Sequence, residues 1–273
     1  MTAPALPRLL AFDLDGTLLP ADKQITRHTR AVLERIRELG TQITLATGKF
    51  HHLTVGHGDE LDLDTPLISL DGACIGNRDH PERKRGIPAE VTRDALGRYQ
   101  GLCQHAFADD GEDRMLLRST DGDHFRHVTR FWADDFRHVD DLAEAVRADS
   151  AIVTFYGDEE PMREIADDIR GQHPRLRVTE YASNLVASYR VSIQPDSTHK
   201  GSGVLDAAEM LGIDASEVMV FGDWLNDLPM FGVGAIGVAM SNAMPEVLKV
   251  ADYVTDRTCE EDGIADFLER NYL

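Results

Sequence analysis

The sequence predicts an α/β protein with a parallel sheet and a second domain inserted into the chain. Strand and helix patterns alternate near both ends of the 273-residue chain, as in parallel sheets whose strands are joined by helices. Between about residues 80 and 190 this alternation stops and glycine-rich strand ends are missing. We therefore expect a core domain built from residues 1–79 and 191–273 and an inserted α+β domain over residues 80–190.

The first elements of the core are a strand, a helix and two further strands. Residues 9–13 form a short apolar run that ends at a turn-forming Asp-Gly pair, which is typical of a buried strand. Thr26 is a candidate N-cap and Gly40 a stop signal for the helix between them. The next apolar runs predict strands over 43–47 and 66–70.

The same alternation resumes near residue 200. A helix with apolar residues at helical spacing is predicted over 201–211, and Gly212 should end it. The other predicted elements are strands over 218–221, 235–240 and 252–255 and a closing helix over 264–268.

Composition and charge narrow the possible partners. The chain carries 48 acidic and 28 basic residues, a net charge of −20, which works against binding to nucleic acid or to an anionic membrane. The 3 cysteines are far apart and form neither a disulfide framework nor a CxxC metal site. Signal-peptide and membrane-span patterns are missing. We expect a cytoplasmic protein that binds a small molecule, and no feature indicates a protein partner.

Acidic residues stand at two of the predicted strand ends. Asp13 and Asp15 follow the first strand and precede Gly16, and Asp223 follows the strand over 218–221. The ends of parallel strands lie along one edge of a sheet, so these carboxylates can converge. Their mutual repulsion is costly unless a cation offsets it, and oxygen ligands of this kind suit Mg²⁺.

Groups that suit an anion are predicted at the same edge. Thr47 and Gly48 end another strand with a hydroxyl and an open backbone amide, and Lys200 begins a helix. Each feature is common by itself in structural roles. Their occurrence at successive strand ends of one alternating pattern indicates a site for a phosphate group and a divalent metal ion.

Four motifs in order resemble those of the haloacid dehalogenase superfamily. They are DLDGTLL from Asp13, the pair Thr47-Gly48, the pair Lys200-Gly201, and GDWLNDLPM from Gly222. The segment TPLISLDGA from Thr65 and the closing segment, which begins GVAMSNA, are similar to those of the Cof-type phosphatases of this superfamily. The resemblance covers about residues 8–77 and 190–270, and the inserted segment matches only by position and size.

The resemblance implies a Rossmann-like parallel-sheet core, an inserted α+β cap domain that selects the substrate, and hydrolysis of a phosphomonoester through an aspartyl-phosphate. Asp13 would be the nucleophile, and Asp15 would protonate the leaving oxygen and then take a proton from water. The side chains of Asp13 and Asp223 and the backbone carbonyl of Asp15 would hold Mg²⁺. An acid two residues after the nucleophile disfavours the dehalogenase branch.

The resemblance also assigns the residues that would bind the phosphoryl group. Thr47, the Gly48 amide, Lys200 and Asn226 would contact its oxygens, as phosphoryl transfer requires. Asp227 would orient Lys200 or a metal-bound water. The expected substrate is a small phosphorylated metabolite, such as a sugar phosphate or a phosphorylated cofactor.

Three residues near the motifs are candidate substrate contacts. Lys49 stands where the Cof pattern usually has Arg, and Asp71 stands where it usually has Asn. Trp224 could stack on a ring of the substrate, although packing is an equal alternative. In the inserted domain, Arg126 and Arg130 are candidates for substrate binding.

Two other functions remain open at this stage. A phosphotransferase or phosphomutase would share the aspartyl-phosphate and pass the group to a sugar hydroxyl. A phospho-acceptor or ligand sensor could use the same acidic pocket without turnover, but it would need neither Asp15 nor the large insertion. A zinc site built from His51, His52 and His57 is disfavoured because their spacing does not present a tetrahedral set.

Overall fold

A computed structural model of the protein describes residues 5–77, 80, 83–109, 115–120, 136–183 and 188–273. The chain divides into two compact units. The core unit comprises Met1–Arg83 and His199–Leu273, and the inserted unit comprises Lys84–Thr198. Arg126 and Arg130 lie outside the described residues.

Strands and helices alternate in the core unit, as the sequence predicts. The strands within the described residues are β1 Leu9–Phe12, β2 Gln42–Leu45, β3 Leu67–Ser69, β4 Cys74–Gly76, β5 Arg83–Lys84, β6 His105–Asp109, β7 Met115–Ser119, β8 Phe136–His138, β9 Val153–Gly157, β10 Leu176–Ser183, β11 Ser188–Pro195, β12 Val218–Gly222, β13 Ile236–Ala239 and β14 Tyr253–Val254. The α-helices there are α1 Arg27–Glu38, α2 His51–Glu60, α3 Ala89–Tyr99, α4 Leu142–Ala145, α5 Glu159–Gln172, α6 Lys200–Leu211, α7 Leu228–Phe231, α8 Pro245–Leu248 and α9 Gly263–Tyr272.

A parallel sheet of five strands forms the centre of the core unit, in the order β14-β13-β12-β1-β2. The whole of β1 is buried. Leu10 and Phe12 pack into one apolar cluster and Leu9 and Ala11 into another, so both faces of the sheet are covered, as is usual for parallel sheets. The carboxyl ends of β12, β1 and β2 therefore lie side by side at one edge.

The third predicted strand pairs differently from the others. It is present as β3, but it joins the parallel sheet only through the isolated bridge between Ala46 and Ile68. β3 instead pairs antiparallel with β4. The turn between them contains three successive residues with positive φ, at 50°, 53° and 91° for Leu70, Asp71 and Gly72, and this left-handed turn sends the chain back along β3.

Local signals for the ends of two helices are confirmed. Thr26 caps α1 by accepting a hydrogen bond at 3.0 Å from the Thr29 N–H. Gly212 ends α6 in the left-handed conformation with φ of 65°, which glycine adopts without steric cost. The closing helix, predicted over 264–268, is α9 and is longer, since it extends over Gly263–Tyr272.

The inserted unit has an α+β fold, as predicted. Its six-stranded sheet has the order β10-β11-β9-β6-β7-β8, and all neighbouring strands are antiparallel except β7 and β8. Side chains of α3 and α5, such as Leu96 and Ile165, share an apolar cluster with Phe155 of β9. These helices therefore cover one face of the sheet.

The end of the inserted unit lies later in the chain than the sequence boundary. Strand β11 pairs with β10 along its whole length and with β9 over most of it. The expected start of the core at residue 191 falls inside this strand, whereas the structural unit ends at Thr198.

Across the described ranges, none of the helices combines the length and the apolar character needed to span a membrane.

Candidate active site

Polar residues occupy the carboxyl ends of three neighbouring strands in the core unit. Asp13 follows β1 directly, Asp223 follows β12 directly, and Thr47 lies two residues beyond β2. Parallel pairing aligns the last residue of β1, Phe12, with residues near the ends of both neighbours. The structure thus brings together side chains that are more than two hundred residues apart in sequence.

Three buried carboxylates meet at this edge. Asp13, Asp223 and Asp227 each offer an oxygen, and these oxygens lie within 4.8 Å of one another. Their residues are only 5%, 7% and 0% exposed. The resemblance implied a metal site made by the side chains of Asp13 and Asp223 and the backbone carbonyl of Asp15. In the structure, the third side chain of the cluster is that of Asp227.

Lys200 provides a positive charge inside the carboxylate cluster. Its ammonium Nζ lies 2.5 Å from Oδ1 of Asp13 and 2.6 Å from Oδ1 of Asp227, and the residue is 1% exposed. Burial alone would lower its pKa, but the two carboxylates outweigh burial and raise it above its usual value. Lys200 is therefore a fixed cation with one ammonium hydrogen left to donate.

Glycines allow the helix that carries Lys200 to pack close to its neighbours. A Cβ at Gly201 would lie 2.2 Å from the carbonyl oxygen of Pro229, and one at Gly203 would lie 2.4 Å from Cγ2 of Ile68. Real Cβ atoms do not tolerate such contacts, so a larger residue would push α6 away. The sequence KGSG at the start of α6 thus sets the position of Lys200.

Asp227 is held by hydrogen bonds on both of its carboxylate oxygens. Oδ1 accepts from Lys200, while Oδ2 accepts from the backbone N–H groups of Asp223 and Trp224, each at 2.9 Å. Gly222 makes room for this side chain, since a Cβ there would lie 2.6 Å from the Cβ of Asp227. These contacts make Asp227 a partner of Lys200.

The cluster holds more negative than positive charge. Burial, followed by repulsion from Asp227, raises the pKa of Asp13 well above its usual range despite the nearby Lys200. Burial also raises the pKa of Asp223 to about 6, although the Thr17 hydroxyl donates to its Oδ1 at 2.8 Å and opposes the shift. Both shifts show that burial and mutual repulsion oppose ionising these carboxylates together, and a nearby cation would relieve that opposition.

The donor set fits Mg²⁺. Asp13 and Asp223 each contribute carboxylate oxygen, which is the ligand type that hard divalent cations prefer, and each has one oxygen outside the bonds made by Lys200 and Thr17. A divalent cation would also offset the excess of buried negative charge. Asp13 and Asp223 are therefore the side chains that would hold Mg²⁺, because both carboxylate oxygens of Asp227 already accept hydrogen bonds.

Asp15 lies outside the carboxylate cluster and is paired with two lysines. Its Oδ1 lies 2.8 Å from Nζ of Lys23, and its Oδ2 lies 2.6 Å from Nζ of Lys49. Burial alone would raise its pKa, but the charges of Lys49 and Lys23 lower it below its usual value. Lys49, expected to contact substrate, is thus a partner of Asp15 in this structure.

Two other predicted residues, Asn226 and Asp71, are joined to each other. The Asn226 side-chain amide donates to Oδ1 of Asp71 at 2.9 Å. That carboxylate lies beside Gly48, because a Cβ at Gly48 would be 3.2 Å from the same oxygen. The backbone N–H of Asp71 also donates to the Thr47 carbonyl at 3.0 Å. The acid that replaces the usual Asn therefore lies next to predicted phosphate ligands.

The remaining predicted residues are placed as follows. Thr47 is buried, and its Oγ1 accepts from the Lys49 N–H at 3.2 Å. The Trp224 residue is 51% exposed, which favours an accessible ring over a packing role.

Two histidines of the disfavoured zinc site have other partners. His51 contacts Ser69 Oγ at 2.9 Å through Nδ1, and His57 lies 3.7 Å from Glu60.

Sequence reasoning missed three residues that support the site. Lys23 pairs with Asp15 from a loop with no recognisable motif. Thr17 belongs to the DLDGTLL motif, so its position could have suggested a contact with an acid. Asn242 donates through Nδ2 to the Gly16 carbonyl at 2.8 Å, and its place in the GVAMSNA segment was the signal available.

The chain is similar to known proteins over almost its whole length. The family model described as haloacid dehalogenase-like hydrolase matches residues 10–268. A Bacillus subtilis relative, 5-amino-6-(5-phospho-D-ribitylamino)uracil phosphatase YitU, is 26% identical over 275 residues, covering 97% of this chain and 98% of the relative. The HMP-PP phosphatase of Serratia proteamaculans is also 26% identical, over 96% of this chain and 94% of the relative.

Solved structures show the same fold. The crystal structure of TM0651 from Thermotoga maritima has a TM-score of 0.83 and 25% identity, and the match covers 97% of each chain. The agreement extends over the core and the insertion and confirms the predicted fold class. Together with the match over residues 10–268, it confirms the resemblance drawn from the four motifs. The chain belongs to the haloacid dehalogenase-like hydrolase family.

Proposed function

We propose that the protein is a Mg²⁺-dependent phosphatase that hydrolyses a small phosphorylated metabolite through a phosphorylated Asp13. The observation that carries the proposal is the convergence of Asp13, Asp223, Asp227 and Lys200 at the carboxyl edge of the parallel sheet. The names of the relatives support it, since two of them are phosphatases of small molecules.

Asp13 is the proposed nucleophile. It directly follows β1, its position is fixed by Lys200, and its backbone N–H donates to the Phe221 carbonyl at 3.0 Å. One of its oxygens would form a bond to phosphorus as the bond to the leaving oxygen breaks. Mg²⁺, held by Asp13 and Asp223, would offset the charge that otherwise keeps two anions apart.

The phosphoryl oxygens would bind to groups beside the nucleophile. Lys200 retains one ammonium hydrogen beyond its two ion pairs, Thr47 offers a hydroxyl, and Gly48, which is an exposed residue, offers its backbone N–H. Asn226 would turn its amide from Asp71 toward the phosphate. Such groups catalyse phosphoryl transfer by positioning the phosphate and stabilising its charge.

Asp15 is the proposed proton carrier. It would protonate the leaving oxygen in the first step and take a proton from water in the second. Water then forms a bond to phosphorus, and the bond from phosphorus to Asp13 breaks. The Asp15 carboxylate is accessible to the leaving oxygen and to water, with 43% of the side chain exposed.

The inserted unit is the proposed substrate-selecting domain. The core motifs account for phosphoryl transfer but leave the rest of the substrate unspecified. Replacing residues 84–198 with the corresponding unit of a relative should change which phosphorylated metabolites are hydrolysed. Hydrolysis should continue to require Asp13 in such a chimera, and an unchanged preference would contradict the proposed role.

The proposed reaction is tested by phosphate release from a panel of phosphorylated metabolites with Mg²⁺. Asp13→Asn should reduce kcat by at least about a thousandfold, because it removes the nucleophile. Asp64→Asn is the matched control, since it makes the same chemical change at an exposed acid of the core unit. Equal phosphate release by the wild type and Asp13→Asn would contradict the proposal.

A further inference from the structure

Two lysines from separate segments hold the Asp15 carboxylate from both sides. Each carboxylate oxygen has its own ammonium partner, with Lys23 at 2.8 Å from Oδ1 and Lys49 at 2.6 Å from Oδ2. Paired charges on both oxygens restrict rotation of the carboxylate about its side-chain bonds. Asp15 therefore has a defined orientation although it lies outside the buried cluster.

Backbone contacts place both lysines. Lys23 adopts a left-handed conformation with φ of 62°, which is unfavourable for a residue with a Cβ, and its N–H donates to the Pro20 carbonyl at 2.9 Å. The N–H of Lys49 donates to Thr47 Oγ1, and its carbonyl accepts from the Leu70 N–H at 3.0 Å. Both side chains thus start from fixed points.

The paired carboxylate remains open to water. The side chain of Asp15 is 43% exposed, compared with 55% for Lys23 and 23% for Lys49. An ionised carboxylate has about four acceptor positions, and the two ion pairs occupy two of them. Asp15 can therefore accept a hydrogen bond from a water molecule while both lysines remain in place.

We propose that Lys23 and Lys49 are positioning residues that hold the Asp15 carboxylate where it takes a proton from the attacking water. The inference rests on the proposed function. In that step the water oxygen forms a bond to phosphorus, and its proton moves to Asp15. The bond between phosphorus and Asp13 breaks, and its electron pair returns to the Asp13 carboxylate. A base that is free to rotate meets this water less often.

The test uses 2,4-dinitrophenyl phosphate and the double variant Lys23→Met/Lys49→Met. The dinitrophenolate leaves without a proton, so formation of the phosphorylated enzyme does not need Asp15. We expect kcat to fall about tenfold or more, because hydrolysis of the intermediate slows. By contrast, kcat/KM, which reports only steps through loss of the leaving group, should change less than about threefold. A burst of dinitrophenol should precede the slower steady state.

Three control variants separate positioning from other roles. Lys23→Arg and Lys49→Arg keep the charge and should retain most of kcat. Lys249→Met removes an exposed lysine elsewhere in the core unit and should leave both parameters unchanged. A parallel fall in kcat and kcat/KM for the double variant would assign the lysines to substrate binding or folding. An unchanged kcat would show that the lysines do not position Asp15 for the second step. Either result overturns the proposal.

A structural measurement separates this inference from the proposed function. If the wild type hydrolyses no phosphate ester, the proposed function fails. A crystal structure of the double variant would then still test the lysines. An Asp15 carboxylate that is displaced or present in several orientations supports the positioning role, and one that keeps its wild-type orientation overturns it.

Discussion

The core unit and the inserted unit bury different kinds of polar group. The core unit buries three carboxylates and one lysine together at a sheet edge. Buried polar side chains of the inserted unit's described residues are mostly neutral, such as Thr154 and Ser192, whose hydroxyls are 2.9 Å apart. Asp109 is an exception and accepts from the Ala151 N–H at 3.1 Å.

This difference separates polar groups that stabilise the fold from the groups that we propose carry out the chemistry. A buried hydroxyl pair satisfies itself, and each bond contributes a little to stability. Three carboxylates around one ammonium leave a charge excess, and burying such an excess costs free energy that packing must offset. We expect substitutions in the two units to affect stability and activity in different proportions.

The largest expected effect on stability comes from removing the cation of the carboxylate cluster. Lys200→Met leaves Asp13 and Asp227 buried without their partner, and this should lower the free energy of unfolding by about 3–5 kcal/mol without metal. Urea denaturation measures it. Lys249→Met is the control and should change stability by less than about 0.5 kcal/mol. An equal effect of the two substitutions would show that the ion pairs of Lys200 with Asp13 and Asp227 do not stabilise the fold.

Adding the proposed Mg²⁺ should have the next largest effect on stability. Mg²⁺ at one hundred times its Kd should raise the free energy of unfolding by about 2.7 kcal/mol, because it binds only the folded state. Asp223→Asn removes one proposed ligand and should abolish most of this gain. Thermal denaturation with and without Mg²⁺ measures both. Equal Mg²⁺ stabilisation of the wild type and the variant would exclude Asp223 as a ligand.

The sequence predicts that the site lies at the ends of strands, but it does not predict which side chains of the site contact one another. Asp13 and Asp223 follow short apolar runs, so their place at the sheet edge depends on local pattern. Asp227 is the third acid of the cluster because Lys200 and two backbone N–H groups hold its carboxylate. The contact with Lys200 joins residues distant in sequence. Lys23 reaches Asp15 from a loop whose course no periodicity encodes.

The inserted unit was less predictable for a related reason. Its separation from the core follows from the end of the strand–helix alternation and the loss of glycine-rich strand ends. Its end does not, because the antiparallel pairing of β11 with β9 and β10 joins segments whose register is not written in either strand alone. The expected boundary at residue 191 therefore cuts through β11.

Helical glycines in the two units should respond to alanine in opposite directions. Gly201→Ala places a Cβ against the Pro229 carbonyl, and the resulting shift of α6 should cost about 2 kcal/mol and reduce kcat through Lys200. Gly97 lies exposed inside α3 with no atom within 4 Å of its Cβ position. Gly97→Ala should therefore stabilise the protein by about 1 kcal/mol. Denaturation and kinetics on both variants test the contrast, which fails if both shift stability in the same direction.

The neutral pair of the inserted unit should have an effect as small as that of Gly97→Ala. Thr154→Val keeps the shape of a fully buried side chain and removes its bond to Ser192, which should cost about 1 kcal/mol. Ser192 retains the Arg190 Nε donor at 2.8 Å, so its oxygen is not left unpaired. A double-mutant cycle with Ser192→Ala isolates the coupling. A coupling of several kcal/mol would place this pair with the charged cluster and remove the distinction between the two units.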